Sequence, residues 1–183
     1  HTQTPGIALR PTKISKQIAS RPNVTARPPS LNESPKPMRL IHTSDWHLGQ
    51  TLHGQDRDHE HAQFLAWLLD QLVVHRADAL LIAGDVFDTV NPPLKAQERL
   101  YDFIVRAHEK LPQLDIVMIA GNHDSGGRIE LPAPLMKRLN AHAVGRISWV
   151  AEGQLDHQRL LVPLHDAAGN TAAWCLTLPF LRP

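Results

Sequence analysis

From residue 38 onward the chain alternates short apolar runs with longer stretches in which apolar residues recur every three or four positions. The segment 38–44 (MRLIHTS) predicts a strand, and 57–76 (RDHEHAQFLAWLLDQLVVHR) predicts a helix with Phe64, Leu65, Leu68, Leu69, Leu72 and Val73 on one face. A continuous apolar run at 78–84 (DALLIAG) has the texture of a strand covered on both faces. A second helix is predicted over 94–111, with an Ala96/Leu100/Phe103/Ile104/Ala107 stripe, and a third strand over 114–120. Leu94, Tyr101 and Val105 lie off that stripe; core packing is the expected use for them, and a homodimer face the alternative. A shorter helix is expected between Glu130 and Asn140, where Pro132 and Pro134 fit only near its start. After Val144 three short strand-like segments (ISWVAEG, QRLLVPL, TAAWCLTL) and the turn DAAGN suggest added strands or a hairpin at the far side of the sheet. The alternation predicts an α/β fold: a layered parallel sheet with helices on both faces.

Residues 1–37 break this rhythm. They hold seven of the 15 prolines, with little apolar periodicity between them. Such a segment buries too little surface to offset its ordering entropy, so a disordered Pro-rich tail, linker or upstream read-through is expected, with residues 38–183 forming the folded part. The same tail holds six of the 19 Lys and Arg but one of the 18 Asp and Glu. The remainder is net acidic despite an overall charge of +1, so the pI of about 8.2 describes the tail and carries no argument for nucleic-acid binding. No apolar run reaches the ~18 residues of a membrane span, and no secretion signal is apparent. The single cysteine, Cys175, lies in an apolar run and reads as an inert buried thiol; a cytoplasmic setting is expected.

All three predicted strands end in residues that can carry chemistry. They run into Ser44-Asp45-Trp46-His47, Gly84-Asp85-Val86-Phe87-Asp88 and Gly121-Asn122-His123-Asp124. In open α/β sheets ligands gather beyond the carboxyl ends of the strands, and neighbouring strands lie only ~4.8 Å apart. The three ends can therefore converge. Gly84 and Gly121 are expected to let the backbone turn at the sheet edge, and Asp45 and His47, two apart in an extended segment, to point the same way. Taken alone, Asp-x-His is compatible with a solvated turn, a general-acid pair or two ligands of one metal. Carboxylate, imidazole and amide oxygen without thiolate suit Mn²⁺, Fe²⁺, Zn²⁺ or Mg²⁺. Of the other histidines, His42 is expected in the core, His59, His61, His75 and His108 as exposed or capping residues, and His142, His157 and His165 without a ligand context.

In this order, SDWHLG, GDVFD and GNHD resemble the motifs of the calcineurin-like metallophosphoesterase superfamily. HTSDWHLGQ, AGDVFDT and AGNHDS, closing on LPFLRP, are similar to its SbcD-type bacterial nucleases. The resemblance covers residues 38–183. It implies Asp45, His47 and Asp85 as ligands of a first metal, with Asp85 bridging to a second that Asn122 binds. His123 is implied as the residue that steadies the scissile phosphate, with Asp88 orienting it. It implies two divalent ions, usually Mn²⁺, activating a water for in-line attack on DNA ends and hairpins, in DNA repair and recombination. The implied partners are DNA and an SMC-like ATPase of the SbcC type, with a homodimer inside a heterotetramer. The family completes its site with a Gly-His and a Gly-His-x-His, and this chain contains no Gly-His dipeptide. An amino-terminal fragment, inactive alone, is therefore the expectation. Two alternatives stay open: a cyclic-nucleotide or phosphoprotein phosphatase, and a non-catalytic interaction module.

Overall fold

The computed structural model describes residues 37–181. The expectation of a disordered tail falls on residues 1–36, outside them, apart from its last residue.

Four parallel strands form the central sheet in the order β1-β4-β5-β6: β1 (Leu40–Thr43), β4 (Ala79–Ala83), β5 (Asp115–Ile119) and β6 (Ala141–Val144). Register is continuous across it, Leu40 opposite Ala79, Ala79 opposite Asp115 and Ile116 opposite Ala141. The β1–β4 and β4–β5 connections carry the long helices α1 (Asp58–His75) and α2 (Leu94–Lys110). Parallel strands laid down in sequential order by right-handed crossovers place their connecting helices on the same face. Accordingly Leu65, Leu68, Leu69 and Leu72 of α1 share one core cluster with Leu100, Phe103 and Ile104 of α2 and with Leu80, Ile82, Ile116 and Met118 of the sheet.

The opposite face is covered differently. The antiparallel hairpin β9 (Leu161–His165) and β10 (Thr171–Leu176), entered through the short α5 (His157–Leu160), lays Val162 and Leu164 against Ala79 and Val117. The parallel sheet with flanking helices is therefore present, with a hairpin making up most of the second face. Asp115 and His165 tie the layers, the buried carboxylate accepting hydrogen bonds from the His165 amide (2.6 Å) and Nδ1 (3.0 Å). Cys175 is half-buried against this second cluster, and burial raises its thiol pKa. No described helix is long and apolar enough to cross a membrane.

Several local expectations change. The helix expected from Glu130 to Asn140 starts earlier and is broken: α3 (Gly126–Glu130), α4 (Ala133–Met136), then a 3₁₀ turn Lys137–Leu139 ending at left-handed Asn140 (φ 52°). Pro132 supplies no amide to continue α3, so the chain restarts there. The apolar pattern does not announce β6, whose AHAV lacks a run of large apolar residues. Two small antiparallel pairs decorate the loops, β2 (Thr51–Leu52) with β3 (Gln55–Asp56), and β7 (Trp149–Ala151) with β8 (Gln154–Leu155). His42 is exposed on β1, at one end of the sheet, rather than in the core. Val73 is exposed where the apolar face of α1 turns away, whereas His61 is buried, its imidazole pKa lowered by burial and by Arg57. On α2, Leu94 (77% exposed) and Val105 (42%) are surface residues rather than core, and only Tyr101 packs against the cluster.

Candidate metal centre

Each motif follows its strand directly, so the parallel register places the three loops side by side at the carboxyl edge. The first two loops are stitched together by their main chains. Asp45 N donates to Gly84 O (3.1 Å), His47 N to Asp85 O (3.0 Å), Leu48 N to Val86 O (3.0 Å) and Asp88 N to Leu48 O (3.2 Å). Trp46 and Leu48 anchor the first loop. Both are buried, and Trp46 packs edge-on against Phe64 (centroids 5.7 Å) and Phe103 (5.5 Å) while its indole N–H donates to Thr43 Oγ1 (3.0 Å). The residues between and after Asp45 and His47 thus fix the loop to the core and leave those two side chains outside it.

This loop is not extended, contrary to the expectation from its spacing. Asp45 (φ 57°), His47 (φ 45°) and Asp85 (φ 49°) all sit in the left-handed region, beside Gly84 (φ 92°). Non-glycine residues adopt that region rarely and at some cost, and such positions cluster at functional sites. Nor does Gly121 turn the chain with a positive φ. Its role is close approach: a Cβ there would collide with the Asp85 amide and carboxylate.

The third loop is bound by a motif residue for which no role was expected. Asp124 is buried, and its carboxylate accepts from the amides of Val86 (3.1 Å), Phe87 (2.9 Å) and Gly121 (2.9 Å). One carboxylate therefore joins the second loop to the third. The aspartate closing GNHD was the available signal, since a carboxylate after a tight turn is well placed to accept main-chain donors.

Asp45, His47 and Asp85 come together, each offering a ligand atom within 4.8 Å of the others. His47 Nε2 lies 3.9 Å from Asp45 Oδ1, a separation at which the two share no hydrogen bond. A second group joins His47 to Asp88 and His123 within the same limit. Asp88 reaches His123 through its main chain: the carbonyl accepts from His123 Nδ1 (2.8 Å). Its carboxylate instead lies 3.3 Å from His47 Nδ1, a buried atom with no hydrogen-bond partner. The His47 and His123 rings meet edge to face, centroids 4.8 Å apart. Asn122 is exposed between Gly121, which packs on Asp85, and His123, whose amide donates to Asp85 Oδ1 (2.9 Å).

The donor set suits a hard or borderline divalent ion: carboxylates and imidazole from two loops, no thiolate, and a buried imidazole nitrogen left unsatisfied by the protein. The Asp88 carbonyl can only accept, so His123 Nδ1 carries the hydrogen and Nε2 remains for another partner. That bond, helped by the carboxylates of Asp85, Asp88 and Asp124, raises the His123 pKa from its ordinary value. The cluster is thus acidic and sits at the carboxyl edge of the sheet, with the proton affinity of the His123 imidazole raised. Divalent cations and the phosphate groups they bind are the ligands such chemistry serves.

Comparison with known proteins agrees with that chemistry. Residues 38–170 match the family described as calcineurin-like phosphoesterase. The chain is 46% identical over 145 residues to the SbcD component of the nuclease SbcCD of Rhodobacter capsulatus, covering 79% of this chain and 36% of that protein. It is 38% identical over 146 residues to the same component from Escherichia coli K12 (80% of this chain, 34% of that one). With the Bacillus subtilis counterpart it shares 41% identity over 108 residues, 59% of this chain and 27% of that protein. The chain thus spans about a third of the length of the curated relatives it matches. With the motif loops in the places that the fold requires of them, the chain belongs to the calcineurin-like phosphoesterase family.

Proposed function

We propose that this chain carries the metal-binding and phosphate-handling residues of a DNA nuclease that hydrolyses phosphodiester bonds at DNA ends and hairpins. The observation behind the reading is the convergence of Asp45, His47 and Asp85 from two strand ends with His123 from a third. The relatives' shared description as a component of the nuclease SbcCD supports DNA as the substrate and an SbcC-type, SMC-like ATPase as the partner. Exposed Leu94 and Val105 on α2 suit a homodimer face within such an assembly.

In this reading Asp45, His47 and Asp85 hold one Mn²⁺, and Asp85 with Asn122 contributes to a second. Two such ions lower the pKa of water and clamp the attacking and leaving oxygens of an in-line displacement. His123, kept in one tautomer by the Asp88 carbonyl, presents Nε2 to the phosphate or to the departing oxygen. Asp85 orients as well as binds, since its Oδ1 accepts the His123 amide. Asp85 and Asn122 alone are too few donors for tight binding, so the second ion is held weakly by these residues and this chain alone is inactive in this reading.

Mn²⁺ calorimetry on this chain and hydrolysis assays on the full-length protein, with matched variants of each, test the reading. Asp85→Asn should weaken Mn²⁺ binding and hydrolysis together. His123→Ala should spare Mn²⁺ binding and cut hydrolysis of DNA ends on the order of a hundredfold. Unimpaired cleavage by both variants would sink the assignment. Preference for a cyclic nucleotide or a phosphoprotein over DNA ends would move it to another phosphoesterase class.

A further inference from the structure

Several arginines are bound to carboxylates: Arg99 to Asp58, Arg106 to Asp102, and Arg146 and Arg159 to Glu130. Arg57 differs. Half-buried at the start of α1, it pairs with no carboxylate among the described residues. Its Nη1 donates to Gln50 Oε1 (2.9 Å), and its Nε is buried without a hydrogen-bond partner. Burying a cation whose donors are only partly satisfied is costly, and a guanidinium fork matches phosphate oxygens.

Its position is fixed relative to the metal-ligand candidates. Gln50 N donates to His47 O (3.0 Å), and Arg57 N donates to Gln50 O (3.4 Å), closing the base of the β2–β3 hairpin. Arg57 and Gln50 thereby line, with Asp45, His47 and Thr43, a cavity of about 420 Å³. Neither Asp85 nor His123 lines it. The cavity therefore continues from the Asp45 and His47 side of the centre, away from the imidazole assigned to the scissile phosphate. Asp58, next in sequence, is bound by Arg99 and Lys95 and does not neutralise Arg57. Exposed Glu60 also lines the cavity.

We propose that Arg57, braced by Gln50, is a substrate-positioning residue that binds a phosphate neighbouring the scissile one, so that this site selects a polynucleotide over a simple diester. The inference deepens the phosphodiesterase reading above and rests on it.

The test compares a single-stranded oligonucleotide with bis(4-nitrophenyl) phosphate, which has one phosphate, as ligands of the Mn²⁺-loaded chain. Arg57→Gln should weaken oligonucleotide binding roughly tenfold and lower the salt dependence by one phosphate contact, a change of about 0.7 in the log–log slope. The penalty on the one-phosphate diester should be at least about fivefold smaller, as expected of a contact beyond the scissile group. Arg57→Lys should restore the slope but only part of the affinity, because a point charge replaces a fork. Gln50→Ala should weaken oligonucleotide binding without changing Mn²⁺ affinity. An unchanged oligonucleotide affinity in Arg57→Gln would overturn the proposal. So would an equal loss for both ligands, which would put Arg57 on the scissile phosphate. A wild-type chain that binds Mn²⁺ and the simple diester equally well or better than the oligonucleotide would overturn it while leaving the parent reading intact. Failure to bind any phosphodiester would remove the parent reading itself.

Discussion

The carboxyl edge of the parallel sheet and the β9–β10 hairpin are built from equally short segments, yet they reach order by opposite means. At the sheet edge the apolar anchors are a few loop side chains, Trp46 and Leu48 in the first loop and Val86 and Phe87 in the second. Position is set by main-chain bonds between loops, by left-handed φ at Asp45, His47 and Asp85, and by the Asp124 carboxylate spanning two loops. The hairpin carries apolar residues on both faces: Val162, Leu164, Ala173 and Cys175 against the sheet, Leu161, Trp174 and Leu176 exposed. Polar fixation yields one geometry that a ligand can rely on. Two-sided hydrophobicity fixes one face and leaves the other available for packing.

The largest effect expected from breaking this contrast is at Asp124. Asp124→Ala would leave the amides of Val86, Phe87 and Gly121 without their buried acceptor. Hydrogen bonds to charged groups contribute about 1.5–3 kcal/mol each, and stranded donors cost a comparable amount. Allowing for non-additivity, the loss should be on the order of 4 kcal/mol, read from urea unfolding. Mn²⁺ affinity should fall with it even under conditions where the variant is folded, because the second and third loops lose the buried link between them and keep the bonds of Asp85 and Asp88 to His123. A loss below about 1 kcal/mol would show that the main chain holds the edge without the carboxylate.

Much of this contrast can be read in the sequence, and the unread part has physical reasons. The long helices and β1, β4 and β5 follow their patterns to within two residues at each end, because apolar periodicity is a property of single segments. The three motif loops were legible because residue types and order both pointed to one chemistry. What the pattern could not carry was backbone conformation: nothing in Ser-Asp-Trp-His announces two left-handed residues, so convergence was expected for the wrong geometric reason. His61 was missed although it stands four residues before Leu65 and seven before Leu68, on the buried face of α1, since a histidine there breaks the apolar pattern without leaving the face. The resemblance implied that Asp88 orients His123, but not the atom that meets it, since the contact is made by a carbonyl that every residue possesses.

An intermediate effect is expected in acid. Glu130 joins the α3 region to the segment after β6, accepting from the Gly145 amide (3.0 Å) and from Arg146 (3.1 Å to the guanidinium), while Arg159 also donates to it (3.0 Å). Burial opposes its ionisation, yet the Gly145 bond and the Arg146 and Arg159 cations outweigh it and hold the carboxyl below its ordinary value of 4.5. A pKa lowered on folding means that the folded chain binds fewer protons than the unfolded one. The stabilisation is therefore fully present above the unfolded pKa and is lost as pH falls through the folded one. Asp58, lowered by its bonds to Arg99 and Lys95, acts in the same direction. Urea midpoints measured from about pH 6 downward should fall, and Glu130→Gln should be less stable at about pH 6 with a shallower acid decline. An acid limb of unchanged slope in that variant would place the titrating group elsewhere.

The smallest effect should come from the outer face of the hairpin. Trp174 is 64% exposed and pairs across the strands with Pro163; Leu176 is 60% exposed and pairs with Leu161. Cross-strand pairs contribute about 0.2–1 kcal/mol, and threonine is itself a good strand residue. Trp174→Thr should therefore change the stability of this chain by less than about 1 kcal/mol, with Mn²⁺ binding untouched, even though it removes the largest side chain on the hairpin. If instead the variant lost several kcal/mol, the outward face would be packing against something in solution, and chain-concentration dependence of the loss would identify a second copy as the cover. A null result would leave the contrast as the structure draws it, with the sheet edge intolerant of a single carboxylate's removal and the hairpin's outer face indifferent to an indole's.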